Sequence, residues 1–112
     1  MTAALLGTAT APANAAGGGC RPHSNTAFSF DACQGDDGVL VYGDTYIKRF
    51  TGSHCRVTIR VTNGSSQSYP CRIGHLGPQT ARMSRGVDYY TSSTISSSAG
   101  SLYGISPRSW KP

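Results

Sequence analysis

Acid–base chemistry in this chain would have to come from three histidines and five aspartates, since it contains no glutamate. A general base needs a carboxylate or imidazole held within hydrogen-bond reach of its proton. Asp44 paired with His54 or His75 is the candidate couple, although nothing in the spacing forces either histidine onto it. Asp31, Asp36, Asp37 and Asp88 mostly stand beside glycine or at turn positions, where aspartate commonly caps the backbone. Serines are abundant enough for a Ser-His-Asp triad, but no G-x-S-x-G elbow presents one. A single short domain also leaves little room for a cleft. These observations point away from an enzyme, so no catalytic residue and no cofactor is assigned.

The four cysteines, Cys20, Cys33, Cys55 and Cys71, carry a second possible chemistry. Zinc would want C-x2-C pairs or His/Cys ligands at short intervals, and neither occurs among them or with His23, His54 and His75. No metal is therefore expected. An even number of cysteines in a short chain with a secretory remnant instead indicates two disulfides, for which three connectivities exist. The sequence-local pairs Cys20–Cys33 and Cys55–Cys71 are preferred, because each spans one expected turn and is easily reached.

Binding chemistry is the third possibility. Of ten basic residues eight are arginine, and the formal net charge is +5. Arginine suits bidentate contact with carboxylate or phosphate. Arg56, Arg60 and Arg72, with His54, should share the outward face of one hairpin, which could equally be a solvated face that keeps the sheet soluble. The tail Arg108-Ser109-Trp110-Lys111 places the only indole between two cations, a composition typical of binding hot spots. If the protein is a binder, contact is expected at loop Gly74–Pro78, including His75, together with Arg108–Trp110. Nucleic acid is not expected, because aromatic residues are not interleaved with the cations.

These residues must be positioned by strands. Charged residues make up 13% of the 112 residues, against about 25% in ordinary domains, and polarity comes mainly from Ser, Thr and Gly. With strong helix formers so scarce, a helical bundle is excluded. The length permits one domain with one core. Phe28, Phe30 and Ala32 alternate with Ser29 and Asp31, and Cys55, Val57, Ile59 and Val61 alternate strictly with Arg56, Thr58, Arg60 and Thr62. That period of two marks half-buried strands.

Asn63-Gly64 marks a hairpin. A three-residue loop with Gly64 left-handed would set Cys55 against Cys71 and Val57 against Tyr69. Further strands are expected at Val39–Tyr42 and Tyr46–Phe50, separated by Gly43-Asp44, and at Thr80–Arg85, Val87–Ile95 and Leu102–Ile105. Pro70 should make the returning hairpin strand an edge or a bulged one. The expected fold is all-β: a small disulfide-stapled antiparallel β-sandwich or barrel of about six to eight short strands.

Residues 1–15 read as the remnant of a signal peptide that starts further upstream, with an A-x-A site at Ala13 and Ala15. Residues 16–25 then form a flexible lead, residues 26–106 the single β domain, and residues 107–112 the tail. A truncated leader ahead of a Gly/Ser/Thr-rich, glutamate-free chain with four cysteines resembles the small secreted proteins of actinobacteria. Paired half-cysteines around short strands, over residues 20–105, are similar in organisation to the tendamistat type of α-amylase inhibitor. Those inhibitors present a Trp-Arg-Tyr turn that is absent here, so the resemblance carries no site residue across.

The function that follows is a secreted small β-scaffold binding protein, as an inhibitor of an extracellular enzyme would be. The alternative is a basic envelope-associated or antimicrobial-type protein that binds anionic polymers. Either way the partner is a protein or an anionic polymer outside the cell, met by a monomer with no membrane span.

Overall fold

A computed structural model describes residues 16–112; the expected leader and its A-x-A site lie outside the described residues. Eleven strands run through them: β1 (Ala16–Gly17), β2 (Gly19–Ser24), β3 (Phe28–Asp36), β4 (Leu40–Phe50), β5 (Arg56–Val61), β6 (Ser66–Pro70), β7 (Gly74–Arg82), β8 (Asp88–Tyr89), β9 (Thr91–Ser97), β10 (Gly100–Ile105) and β11 (Ser109–Trp110). Two four-stranded antiparallel sheets, β10-β9-β5-β6 and β2-β3-β4-β7, are accompanied by a small β1-β11-β8 sheet.

The alternation in the sequence explains why the two larger sheets pack on each other. Phe28, Phe30, Ala32 and Ile47 from one sheet meet Val57, Ile59 and Ile95 from the other in one core cluster. A second cluster at the opposite end joins Val41, Val61, Ala81, Met83 and Tyr89. Both disulfides form as expected, Cys20–Cys33 and Cys55–Cys71, which places the chain in an oxidising environment. The β5–β6 hairpin has the expected register, with Val57 opposite Tyr69 and the Cys71 amide donating to the Cys55 carbonyl.

Four local expectations are corrected. The left-handed residue of that hairpin turn is Asn63 (φ 56°), not Gly64. Gly64 is required for a different reason: a Cβ there would come within 2.6 Å of the Ala81 Cβ on β7. Gly43-Asp44 is not a turn but the middle of the single strand β4, at a register shift against β7. Segment Gly74–Pro78 is not a loop: it pairs with β4, Tyr46 facing His75, and Pro78 falls at the irregularity, where a missing amide is tolerated.

The fourth correction concerns the two chain ends. Residues 16–25, expected as a flexible lead, are largely β1 and β2, because Cys20 is bonded directly across to its register partner Cys33. The tail is likewise held, as Ser109 is fully buried and its hydroxyl accepts a hydrogen bond from the buried Gln34 amide. These extra short strands are why eleven form where six to eight were expected.

The β3–β4 turn yields a pH prediction. The amides of Leu40 (2.8 Å) and Val39 (2.9 Å) and the Tyr42 hydroxyl (2.9 Å) all donate to Asp37, and in that order they hold its carboxyl below the ordinary range. A carboxyl that is more acidic when folded contributes stability above its unfolded pKa and loses it as pH falls through the folded value. Asp37→Asn should therefore flatten the acid-side decline in the urea midpoint between about pH 5 and pH 2. The same carboxylate raises the pKa of Tyr42, so the variant should also bring the Tyr42 absorbance titration back to lower pH.

Candidate binding surface

The residues singled out from sequence fall into three places. The first is the outer face of sheet β10-β9-β5-β6. Opposed residues in antiparallel strands share a face, and the register gives three rows across the four strands. One row is Tyr103, Thr94, Thr58 and Ser68; a second is Ile105, Ser92, Arg60 and Ser66; the third is Ser101, Ser96, Arg56 and Pro70. Eight of these twelve side chains carry a hydroxyl, two are arginines and none is acidic. Thr58 and Ser68 bond each other at 2.6 Å, and Tyr103 is 59% exposed.

All five aspartates lie elsewhere. Asp31 and Asp44 project from the other large sheet, where Lys48 lies 2.9 Å from Asp31 and His75 lies 2.7 Å from Asp44. Asp36 and Asp37 occupy the end of β3 and its turn, while Asp88 lies in β8, 3.8 Å from Arg108. The sheet that carries Arg56 and Arg60 thus holds no aspartate, whereas Arg21, Lys48, Arg49 and Arg82 share the other large sheet with Asp31, Asp36 and Asp44. No acidic side chain lies within ion-pair distance of Arg56 or Arg60 among the described residues.

The second place is the seam where β6 leaves one sheet and β7 joins the other. The Ser65 amide donates to the Thr80 carbonyl at 3.0 Å, and Gln79 Nε2 donates to the Tyr69 hydroxyl at 2.6 Å. Beyond these ties the strands part around an open groove of about 370 Å³, lined by Tyr69, Pro70, Cys71, Arg72, Leu76 and Gly77. Arg72 donates to the His75 carbonyl at 3.0 Å, and Ile73 is 63% exposed. Arg56 stands directly across from Pro70, so the groove continues the arginine-bearing face.

Of the two candidate acid–base couples, the fold assembles Asp44 with His75 and leaves His54 in the β4–β5 connection. Tyr46 stacks obliquely on His75, with ring centroids 5.0 Å apart. Among the described residues, the hydrogen bond of the His75 side chain goes to Asp44, and no serine, threonine or cysteine side chain is hydrogen-bonded to it. The couple pins Asp44 at the β4 bulge.

Arg108 and Trp110 occupy the third place. Arg108 lies over the Tyr90 ring, 5.3 Å from its centroid. Trp110 is 43% exposed, paired through β11 with both β1 and β8, and its ring lies against Gly17. β8 carries Tyr89 of the Val41 cluster, whereas Gly74 pairs with Ile47. Those two points on β4 are separated by roughly 20 Å at about 3.3 Å per residue. Segment Gly74–Pro78 and the tail therefore stand near different ends of β4 rather than side by side.

Sequence reasoning identified Arg56 and Arg60 but missed the hydroxyl rows around them. Ser92 and Thr94 fall within the strand expected at Val87–Ile95, but only its pairing with β5 reveals that they share the outer face of Arg56 and Arg60. Comparison with known protein families, curated proteins and solved structures finds no match to this chain.

Proposed function

We propose that this protein is a secreted β-scaffold that binds an anionic polymer outside the cell, using the outer face of sheet β10-β9-β5-β6. The observation that carries this reading is the pair Arg56 and Arg60 on a face free of carboxylates, with every aspartate placed elsewhere. Two disulfides and the A-x-A remnant support the extracellular setting. A rigid sheet holds the backbone of both arginines in place, so binding orders only their side chains. Guanidinium groups without an internal partner remain available for bidentate contact.

A protein partner is the second reading. It rests on exposed Ile73 beside the groove at Arg72, but it lacks the support of the tail, which lies at the other end of the molecule.

Retention on an immobilised carboxylated polymer, measured across a salt gradient, tests the proposal. Arg56→Glu/Arg60→Glu should elute well before Arg82→Glu/Arg85→Glu, although both variants change net charge equally. Arg82 and Arg85 are also exposed but lie off the face. Retention of the unmodified protein should fall steeply near 0.15 M salt, where the screening length is about 8 Å. Co-elution of the two variants would mean that net charge alone governs retention and would overturn the reading.

A further inference from the structure

The composition of the face narrows the class of polymer, given the reading of that face as an anionic-polymer site. We infer that its ligand is a sparsely carboxylated polysaccharide, recognised by the hydroxyl rows and Tyr103 as well as by Arg56 and Arg60.

The charges are dilute. Arg56 and Arg60 are four residues apart on one strand, roughly 13 Å at about 3.3 Å per residue, and they are the only two cations among the twelve side chains of the three rows. A polyphosphate, charged at every repeat, would leave most of its anions facing neutral hydroxyls. A single-stranded nucleic acid would require several stacking platforms along its path, and this face offers the single exposed ring of Tyr103. A carboxylated polysaccharide meets each part of the face with a complementary group. Its carboxylates match the planar arginine forks. Its many hydroxyls match a field of groups that can each donate and accept, and Thr58 and Ser68 keep spare capacity beyond their mutual bond. The apolar face of a sugar ring matches Tyr103, which stands at the end of the central row, opposite Thr94.

The arginines flank that central row. Arg60 lies one row to one side of Thr58 and Arg56 one row to the other, both on β5. A chain laid along β5 can therefore contact both cations while crossing Thr58, with Thr94 and then Tyr103 lying to one side of it on β9 and β10. This arrangement predicts that hydroxyl and aromatic deletions matter together with charge deletions, which a purely electrostatic surface would not show.

The test is a binding titration at low salt with four probes: hyaluronan, neutral dextran, inorganic polyphosphate and oligo-dT. Melting temperatures of all variants are measured alongside. Hyaluronan should bind best. Arg56→Ala/Arg60→Ala should weaken it by about tenfold or more, as expected for the loss of charge-assisted hydrogen bonds. Tyr103→Ala and Thr58→Val should each weaken it by about threefold, with unchanged melting temperature.

Polyphosphate or oligo-dT bound more tightly than hyaluronan, with Tyr103→Ala and Thr58→Val neutral, would overturn the polysaccharide inference while leaving the anionic-polymer reading intact. Binding to none of the three anionic probes would overturn both. Dextran bound as tightly as hyaluronan would overturn the role assigned to the arginines.

Discussion

Replacing both Cys55 and Cys71 by alanine is expected to cost about 3 kcal/mol, and to lower the melting temperature by roughly 12–24 °C in a domain of this size. The bridge closes a sequence separation of 16 residues, and opening a loop of that length restores denatured-state entropy of about this magnitude. Both half-cystines also pack against the larger core cluster, so their removal takes apolar contacts with it. The loss at Cys20–Cys33 should be smaller in its packing part, because Cys20 lies exposed on edge strand β2. Urea denaturation of the two double variants, each with the other bridge intact, measures the difference. Equal losses would show that chain entropy alone sets the effect. The Cys55–Cys71 variant should also loosen the groove at Cys71 and Arg72, visible as faster amide exchange from residue 69 to residue 76.

The second large effect is expected at Gly43. By strand propensity alone, valine at this position in β4 would be favourable within a scale of about 1 kcal/mol. The packing requires the opposite. A Cβ on Gly43 would lie 2.6 Å from Val61 Cγ2 and 2.9 Å from Thr91 Cγ2, and it would collide with Thr91 Oγ1. Val61 and Thr91 are both fully buried in the facing sheet and cannot swing away. Gly43→Val should therefore destabilise by about 1–3 kcal/mol through overpacking. Gly35→Val supplies the contrast, since Gly35 is also a strand residue yet has no atom within 4 Å of its would-be Cβ. A urea midpoint that stays unchanged in Gly35→Val and drops in Gly43→Val would place the effect in sheet-to-sheet contact. A drop in both would place it in the strand backbone.

The sequence alone determined the strand character and the inward sets Phe28/Phe30/Ala32 and Val57/Ile59/Val61, and it favoured the hairpin register and the two local disulfides that the structure shows. Each of these depends on interactions within one strand or between strands joined by one turn. A period of two assigns faces without any knowledge of the partner strand, and register follows once one face must be buried.

Tertiary structure decided what depends on distant segments. Gly43 reads as a turn residue, yet it is a strand residue thinned to admit Thr91 and Val61. Gly74–Pro78 reads as a loop because glycine and proline punctuate it, but pairing with β4 makes it an edge strand. Asp44 meets His75 only because β4 and β7 are neighbours, and Trp110 is drawn away from that site because Ser109 is buried against Gln34.

The same holds for the candidate surface. Arg56 and Arg60 could be placed outward from β5 alone. That their face carries eight hydroxyls and no carboxylate follows from pairing β5 with β9 and β6, and β9 with β10. A strand's sequence fixes which side chains point outward, but only the order of strands in the sheet fixes which outward side chains become neighbours.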